Sequence, residues 1–113
     1  MCGIAGVIYS GSLTVNKAEA LIRDMNRALG HRGPDASGYY FDHQHNVVFG
    51  HTRLAIIDLS SLGHQPMHSH CGRYCITFNG EIYNHKDIKT ELVKAGFSGE
   101  MNSTTDTEVL INA

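Results

Sequence analysis

The chain has 113 residues, 42% of them apolar and 18% charged, and a formal net charge of −2. That length suits one small domain with a modest core and leaves little room for a second. The composition is that of an ordinary folded protein, and the charge lacks the basic footprint of a nucleic-acid or anionic-membrane binder.

Three cysteines, Cys2, Cys71 and Cys75, form no disulfide framework. No apolar run has the length of a membrane-spanning helix. Met1 to Ser12 lacks the basic leader and long apolar stretch of a signal peptide, and glycine at position 3 instead of 2 does not fit a myristoylation signal. The expectation is a reduced, cytoplasmic setting with no membrane and no nucleic acid as partners.

In chain order, Ile4 to Tyr9 is apolar and bounded by glycines, which predicts a buried strand. Lys17 to Leu29 predicts a helix, with Ala18, Leu21, Ile22, Met25, Ala28 and Leu29 on one face, Asn16 as its cap and Gly30 at its end. His31-Arg32-Gly33-Pro34-Asp35 is dense in turn formers and predicts a loop. Gly38 to Phe41 and Asn46 to Ile57 predict strands, the second rich in valine and isoleucine. Leu59 to His70 is polar and histidine-rich, as expected of a surface loop. In Tyr74 to Tyr83 an Asn79-Gly80 step between two strand-like runs predicts a hairpin. Asn84 should cap a helix running to about Ala95 and closed by Gly96, and Thr105 with Glu108 makes a capping-box pattern that opens one more helix. That last helix is two turns old where the chain stops, so the ending reads as an interruption.

Chemistry starts at Cys2. Removal of Met1 would leave a thiol and a free α-amino group on one residue, and an α-amino group titrates near ~7.7–8.0, within reach of a proton acceptor at neutral pH. Nucleophile and base then share one residue, the logic of the N-terminal nucleophile. Position alone also suits a small buried apolar side chain. The residues that follow decide between these. Cys2-Gly3-Ile4-Ala5-Gly6, His31-Arg32-Gly33-Pro34-Asp35, Gly50-His51-Thr52-Arg53-Leu54-Ala55-Ile56-Ile57-Asp58, Gln65-Pro66-Met67, Asn79-Gly80-Glu81-Ile82-Tyr83-Asn84 and Thr105-Asp106-Thr107-Glu108 occur in that order. In them the chain resembles the class II glutamine amidotransferase domain of the glutamine-hydrolysing asparagine synthetase family, over Cys2 to Leu110.

The resemblance implies an α+β fold, part of the N-terminal-nucleophile αββα sandwich with antiparallel sheets. Residues 1–113 would be the N-terminal part of that domain, without its C-terminal remainder or the ATP-dependent synthetase domain. It implies that Cys2 attacks the side-chain amide of L-glutamine to form a thioester and release ammonia, and that water then gives glutamate. Asn79 and the backbone N–H of Gly80 would stabilise the oxyanion; two neutral, fixed donors suit that task, although Asn79-Gly80 also suits a plain turn. Arg53 would bind the glutamine α-carboxylate, for which a forked guanidinium is matched. Glu81 and Asp106 would hold the α-ammonium, and backbone groups of Leu54 and Ile56 would line the pocket. Taken singly, Asp106 also suits a helix's first turn and Glu81 a solvated strand. Arg32 and Asp35 are expected to shape the loop over Cys2.

ATP, magnesium and aspartate follow from kinship alone, since the chain contains no Ser-Gly-Gly-x-Asp loop for ATP and no cofactor is expected in this chain. A synthetase domain or chain is the implied partner. The run Arg53-Leu54-Ala55-Ile56-Ile57-Asp58 resembles the asparagine synthetase branch more than the glucosamine-phosphate synthase or purine branches. Three alternatives stand beside this reading: a non-catalytic domain that binds glutamine or a partner chain, a related amidotransferase with a different amide acceptor, and a zinc module built on His64, His68, His70, Cys71 and Cys75. The spacing of the last fits no strong zinc pattern, and no metal site is expected. A partial sandwich would also leave apolar faces open, which predicts low stability of the chain alone.

Overall fold

A computed structural model describes residues 2–55 and 61–113. The fold is α+β, with antiparallel sheets throughout, as the resemblance implied. Strand β1 (Gly3–Ile8) leads into helix α1 (Val15–Ala28), then β2 (Ala36–Asp42) and β3 (Val47–Arg53). A single 3-10 turn (Ser61–Gly63) precedes the two-residue strands β4 (Met67–His68) and β5 (Cys75–Ile76), and helices α2 (His85–Lys94) and α3 (Asp106–Asn112) follow.

The first sheet has the order β1-β3-β2, with Gly3 opposite Thr52 and Ala36 opposite Arg53. Helix α1 covers one of its faces, because alternation along the strands turns Ala5, Val48 and Tyr39 to that side. Ala5, Tyr9, Ala18, Ile22 and Val48 form the buried cluster, with Val7, Leu13, Met25, Leu29 and Phe41 packed around it. The helix presents a narrower stripe than its periodicity suggests: Leu21 and Ala28 are exposed, and the polar Asn26 is buried in their place. Asn26 Nδ2 donates to the backbone carbonyls of Gly38 (3.3 Å) and His51 (3.2 Å), clamping α1 to β2 and β3. Gly50 lies so close to Asn26 Oδ1 that no side chain fits there.

Three expectations need correction. The N-cap of α1 is Thr14 and not Asn16, since the Thr14 hydroxyl accepts from Lys17 N. The third strand stops at Arg53, four residues short of Ile57, and Ile56 to Ile57 lie outside the described residues. Asn79-Gly80 does not close a hairpin. The second hairpin is β4–β5, turned by Ser69–Tyr74 with Gly72 at φ +71. The donors flanking Asn79-Gly80 are taken by side chains: Phe78 N by Gln65 and Ile82 N by Asp106. With both flanking donors so engaged, no hairpin ladder forms across this turn.

Other local signals hold. Gly96, at φ +93, ends α2 with Gly96 N donating to Val93 O and Phe97 N to Leu92 O, the paired bonds of a Schellman motif. Asn84 occupies the cap position of α2 without a side-chain bond. Thr105 caps α3 by accepting from Glu108 N, while the Glu108 carboxylate reaches further back to the backbone N–H groups of Asn102 and Ser103.

The β4–β5 side of the molecule lies on the sheet face opposite α1. The ring of Tyr40 meets His68 edge-on at 5.2 Å, and Gly38 is pressed against the Gln65 carbonyl. Among the described residues no helix is long and apolar enough to cross a membrane.

Candidate active site

Pairing of β1 with β3 sets the position of Cys2. Gly3 lies opposite Thr52, so Cys2 comes level with Arg53, the last residue of β3, and beside Leu54. Leu54 N donates to Cys2 Sγ at 3.3 Å, and the thiol lies 3.7 Å from Leu54 O. The loop from His31 to Asp35 closes over this junction as expected. Arg32 Nε donates to Cys2 O (3.3 Å), Asp35 N donates to Arg53 O (3.0 Å), and the Asp35 carboxylate accepts from Ala55 N (2.8 Å). Gly33 lies against the Thr52 backbone, where a side chain would overlap it.

The same alternation that aims Val48 and Thr52 at α1 aims His51 and Arg53 at the opposite side. Both are buried, His51 at 1% exposure and Arg53 at 8%. The Arg53 guanidinium passes over Gly63, which the 3-10 turn brings beneath it. Burial lowers the His51 pKa, and the charges of Arg53 and His64 act in the same direction, while the Phe78 carbonyl opposes them. Neither ring nitrogen of His51 reaches full hydrogen-bond geometry with a described residue, and the Phe78 backbone acts on the ring only through a weaker contact.

Opposite these stands the segment from Phe78 to Ile82. The Gln65 side chain accepts from Phe78 N at 2.6 Å, and the Asp106 carboxylate accepts from Ile82 N at 2.6 Å. The three residues between, Asn79, Gly80 and Glu81, are exposed and unpaired as strand. Asp106 itself is buried in the first turn of α3.

These groups surround one cavity of about 410 Å³. Cys2, Arg53, Leu54, Asn79, Gly80, Glu81 and Asp106 all line it, so seven of the eight residues singled out from the sequence converge. The eighth, Ile56, lies outside the described residues. His51, Gln65, Phe78, Tyr83 and Thr107 also line it and were not assigned to the site from the sequence. Four of them left a signal: His51, Gln65, Tyr83 and Thr107 all sit in the ordered motifs, and His51 is also two residues before Arg53 on the same strand face. Phe78 left none, because it lies outside those motifs and its place depends on how the chain returns to Gln65.

The volume suits a small amino acid, since ligand pockets run from about 300 to 1,000 Å³. A buried cation at Arg53 and a buried carboxylate at Asp106 line the same cavity, opposite charges of the kind that complement a zwitterion. Cysteine lies at one edge, and a glycine backbone with an adjacent carboxamide lies at another.

The histidine loop is organised differently. His68 packs on Tyr40 and His70 on Phe97. Among the described residues no group of three or more His, Cys, Asp or Glu side chains could hold a metal ion. Cys71 is exposed, and its thiol is pulled below the ordinary value by the Ser69 hydroxyl. Cys75 is half-buried, and burial pushes its thiol up to about 11.

A short sheet preceded by Cys2 and a cavity lined by groups of opposite charge fit the class that the family comparison gives. The glutamine amidotransferase domain model matches residues 1–113, and the chain belongs to that family. It is similar to glutamine-hydrolyzing asparagine synthetase 1 of Bacillus subtilis (strain 168), with 43% identity over 112 residues covering 98% of this chain and 17% of the relative. It is 36% identical over 110 residues to glutamine-hydrolyzing asparagine synthetase 2 of Oryza sativa subsp. japonica, covering 97% of this chain and 17% of the relative. It is also similar to the amidase chry2 of Gibberella zeae, 40% identical over 100 residues, covering 81% of this chain and 15% of the relative. The chain thus spans about a sixth of the length of these relatives.

Proposed function

We propose that this chain carries the glutaminase half-reaction of a glutamine-dependent asparagine synthetase. With Met1 removed, the Cys2 α-amino group takes the thiol proton and Cys2 Sγ attacks the γ-carbonyl carbon of L-glutamine. The C–N bond breaks, the proton passes to the departing nitrogen, and ammonia leaves behind a γ-glutamyl thioester. Water hydrolyses the thioester, giving glutamate and restoring the thiol. Asn79 Nδ2 and Gly80 N–H hold the oxyanion of each tetrahedral intermediate. Arg53 pairs with the α-carboxylate in the forked manner of a guanidinium. Asp106 and Glu81 take the α-ammonium, and backbone groups of Leu54 and Ile56 hold the substrate chain.

The observation that carries this reading is the shared cavity: a nucleophile, two oxyanion donors and a cation–anion pair line the same 410 Å³. Family membership supports the substrate class. In this proposal, delivery of the ammonia to aspartate with ATP and magnesium falls to a synthetase domain. The residues of this chain offer no fit to those groups: there is no Ser-Gly-Gly-x-Asp loop, and no metal-binding cluster occurs among the described residues. In this proposal the partner is a synthetase domain or chain, as the names of the relatives suggest. Similarity to a protein named as an amidase favours keeping a second reading, in which the ammonia goes to an acceptor other than aspartate.

Ammonia and glutamate release from L-glutamine tests the proposal. Cys2→Ala should abolish turnover while leaving the fold intact by circular dichroism, and the mass of the active chain should lack Met1. Turnover that survives Cys2→Ala would refute the mechanism, and glutamine binding without turnover would favour a non-catalytic domain.

A further inference from the structure

Asn79, Gly80 and Glu81 are exposed and belong to no strand, yet the oxyanion donors proposed above require a rigid frame. The frame is a closed circuit of hydrogen bonds. Gln65 Oε1 accepts from Phe78 N at 2.6 Å on one side of the turn, and Asp106 Oδ2 accepts from Ile82 N at 2.6 Å on the other. The circuit closes through Gln65 Nε2, which donates to the hydroxyl of Thr107, next in sequence to Asp106, at 3.3 Å. Gln65 is buried, at 9% exposure, and its own carbonyl is wedged against Gly38 of β2, where a side chain would overlap it. One end of the circuit is therefore anchored to the main sheet.

We infer that Gln65 is a positioning residue that ties the Asn79–Gly80 turn to the first turn of α3. The oxyanion donors and the carboxylate proposed to hold the α-ammonium then move as one body. This rests on the glutaminase reading and adds to it a residue whose side-chain bonds go to Phe78 N and the Thr107 hydroxyl. The chemistry of a carboxamide is what the position needs. It accepts and donates at once, without bringing a further charge beside Asp106. Burying such a charge would carry a desolvation cost.

The test uses the full chain with Gln65→Met, which keeps the length and loses both bonds, and Thr107→Val, which is close to isosteric and loses one. Displaced donors are worth less than deleted ones, whose loss costs ~10²–10³ in rate. Gln65→Met should therefore lower kcat about tenfold, with KM for glutamine changed less than about threefold. Binding of the γ-aldehyde of glutamine should weaken in step with kcat. The Cys2 thiol adds to that aldehyde to give a tetrahedral adduct whose oxygen lies where the oxyanion forms. Thr107→Val should give a smaller loss of the same kind. Exchange of the Phe78 amide, read by hydrogen–deuterium exchange, should speed up in Gln65→Met while β1 and β3 stay protected. A merely structural glutamine would lower the melting temperature and leave kcat, aldehyde binding and local exchange near their parent values, which would overturn the inference. Because Cys2→Ala is assayed alongside, a null result at Gln65 with Cys2→Ala inactive removes only the positioning role. Activity in Cys2→Ala removes the reading beneath it.

Discussion

His51 combines 1% exposure, two ring nitrogens short of full hydrogen-bond geometry with any described residue, and an Arg53 guanidinium on the same strand face. Burial first, then Arg53 and His64, disfavour its charged form, and only the Phe78 carbonyl favours it. The folded-state pKa thus lies below the ordinary 6.5, and the unfolded chain binds the proton more readily. Stability owed to the neutral imidazole is whole above that value and is lost as pH falls below it, by at most about 1.4 kcal/mol per pH unit. Urea midpoints measured at about pH 7.5 and about pH 5.5 should fall with acid in the parent chain, and His51→Gln should remove that component of the slope. An unchanged slope would show that His51 keeps an ordinary affinity for protons.

At the scale of elements, the α3 N-terminus matters most, because Asp106 and Thr107 reach the cavity from its first turn. Seven residues form too few turns to hold by propensity. The cap supplies part of the difference: Thr105 accepts from Glu108 N, and the buried Glu108 carboxylate takes Asn102 N, Ser103 N and the Ser103 hydroxyl at 2.6 to 2.8 Å. Thr105→Ala should destabilise the chain by about 1 kcal/mol, read from the denaturation midpoint, and Thr105→Ser should restore most of it. This cap was legible from the Thr-x-x-Glu spacing. The Asn79-Gly80 turn was legible as a turn but was misassigned to a hairpin, because its two flanking donors go to side chains 13 and 24 residues away in sequence. No local rule sees such partners.

The whole molecule is loosely built for its size. Its radius of gyration is 15.1 Å, against roughly 13 Å for a compact domain of this length. The core is a small cluster around Ile22 and Val48. On the β1 face opposite α1, Ile4 is 47% and Ile8 82% exposed. Apolar strand positions left in water contribute nothing to folding and invite association. The expected result is a low, weakly cooperative thermal transition of the isolated chain by circular dichroism. A cooperative melt well above physiological temperature would refute it.

By itself the sequence determined most of the element types, the nucleophile candidate and seven of the residues that meet in the cavity. Those signals are local or motif-borne: alternation, capping spacing, and short ordered runs that include Cys2, Arg53, Asn79-Gly80 and Asp106. Tertiary structure alone decided what holds them together. The clamp of Asn26 on two strands, the burial of His51 and the bond from Gln65 to Phe78 and Thr107 all join residues far apart in the chain. A hydrogen bond between distant side chains leaves no periodic trace, because it depends on where the backbone returns.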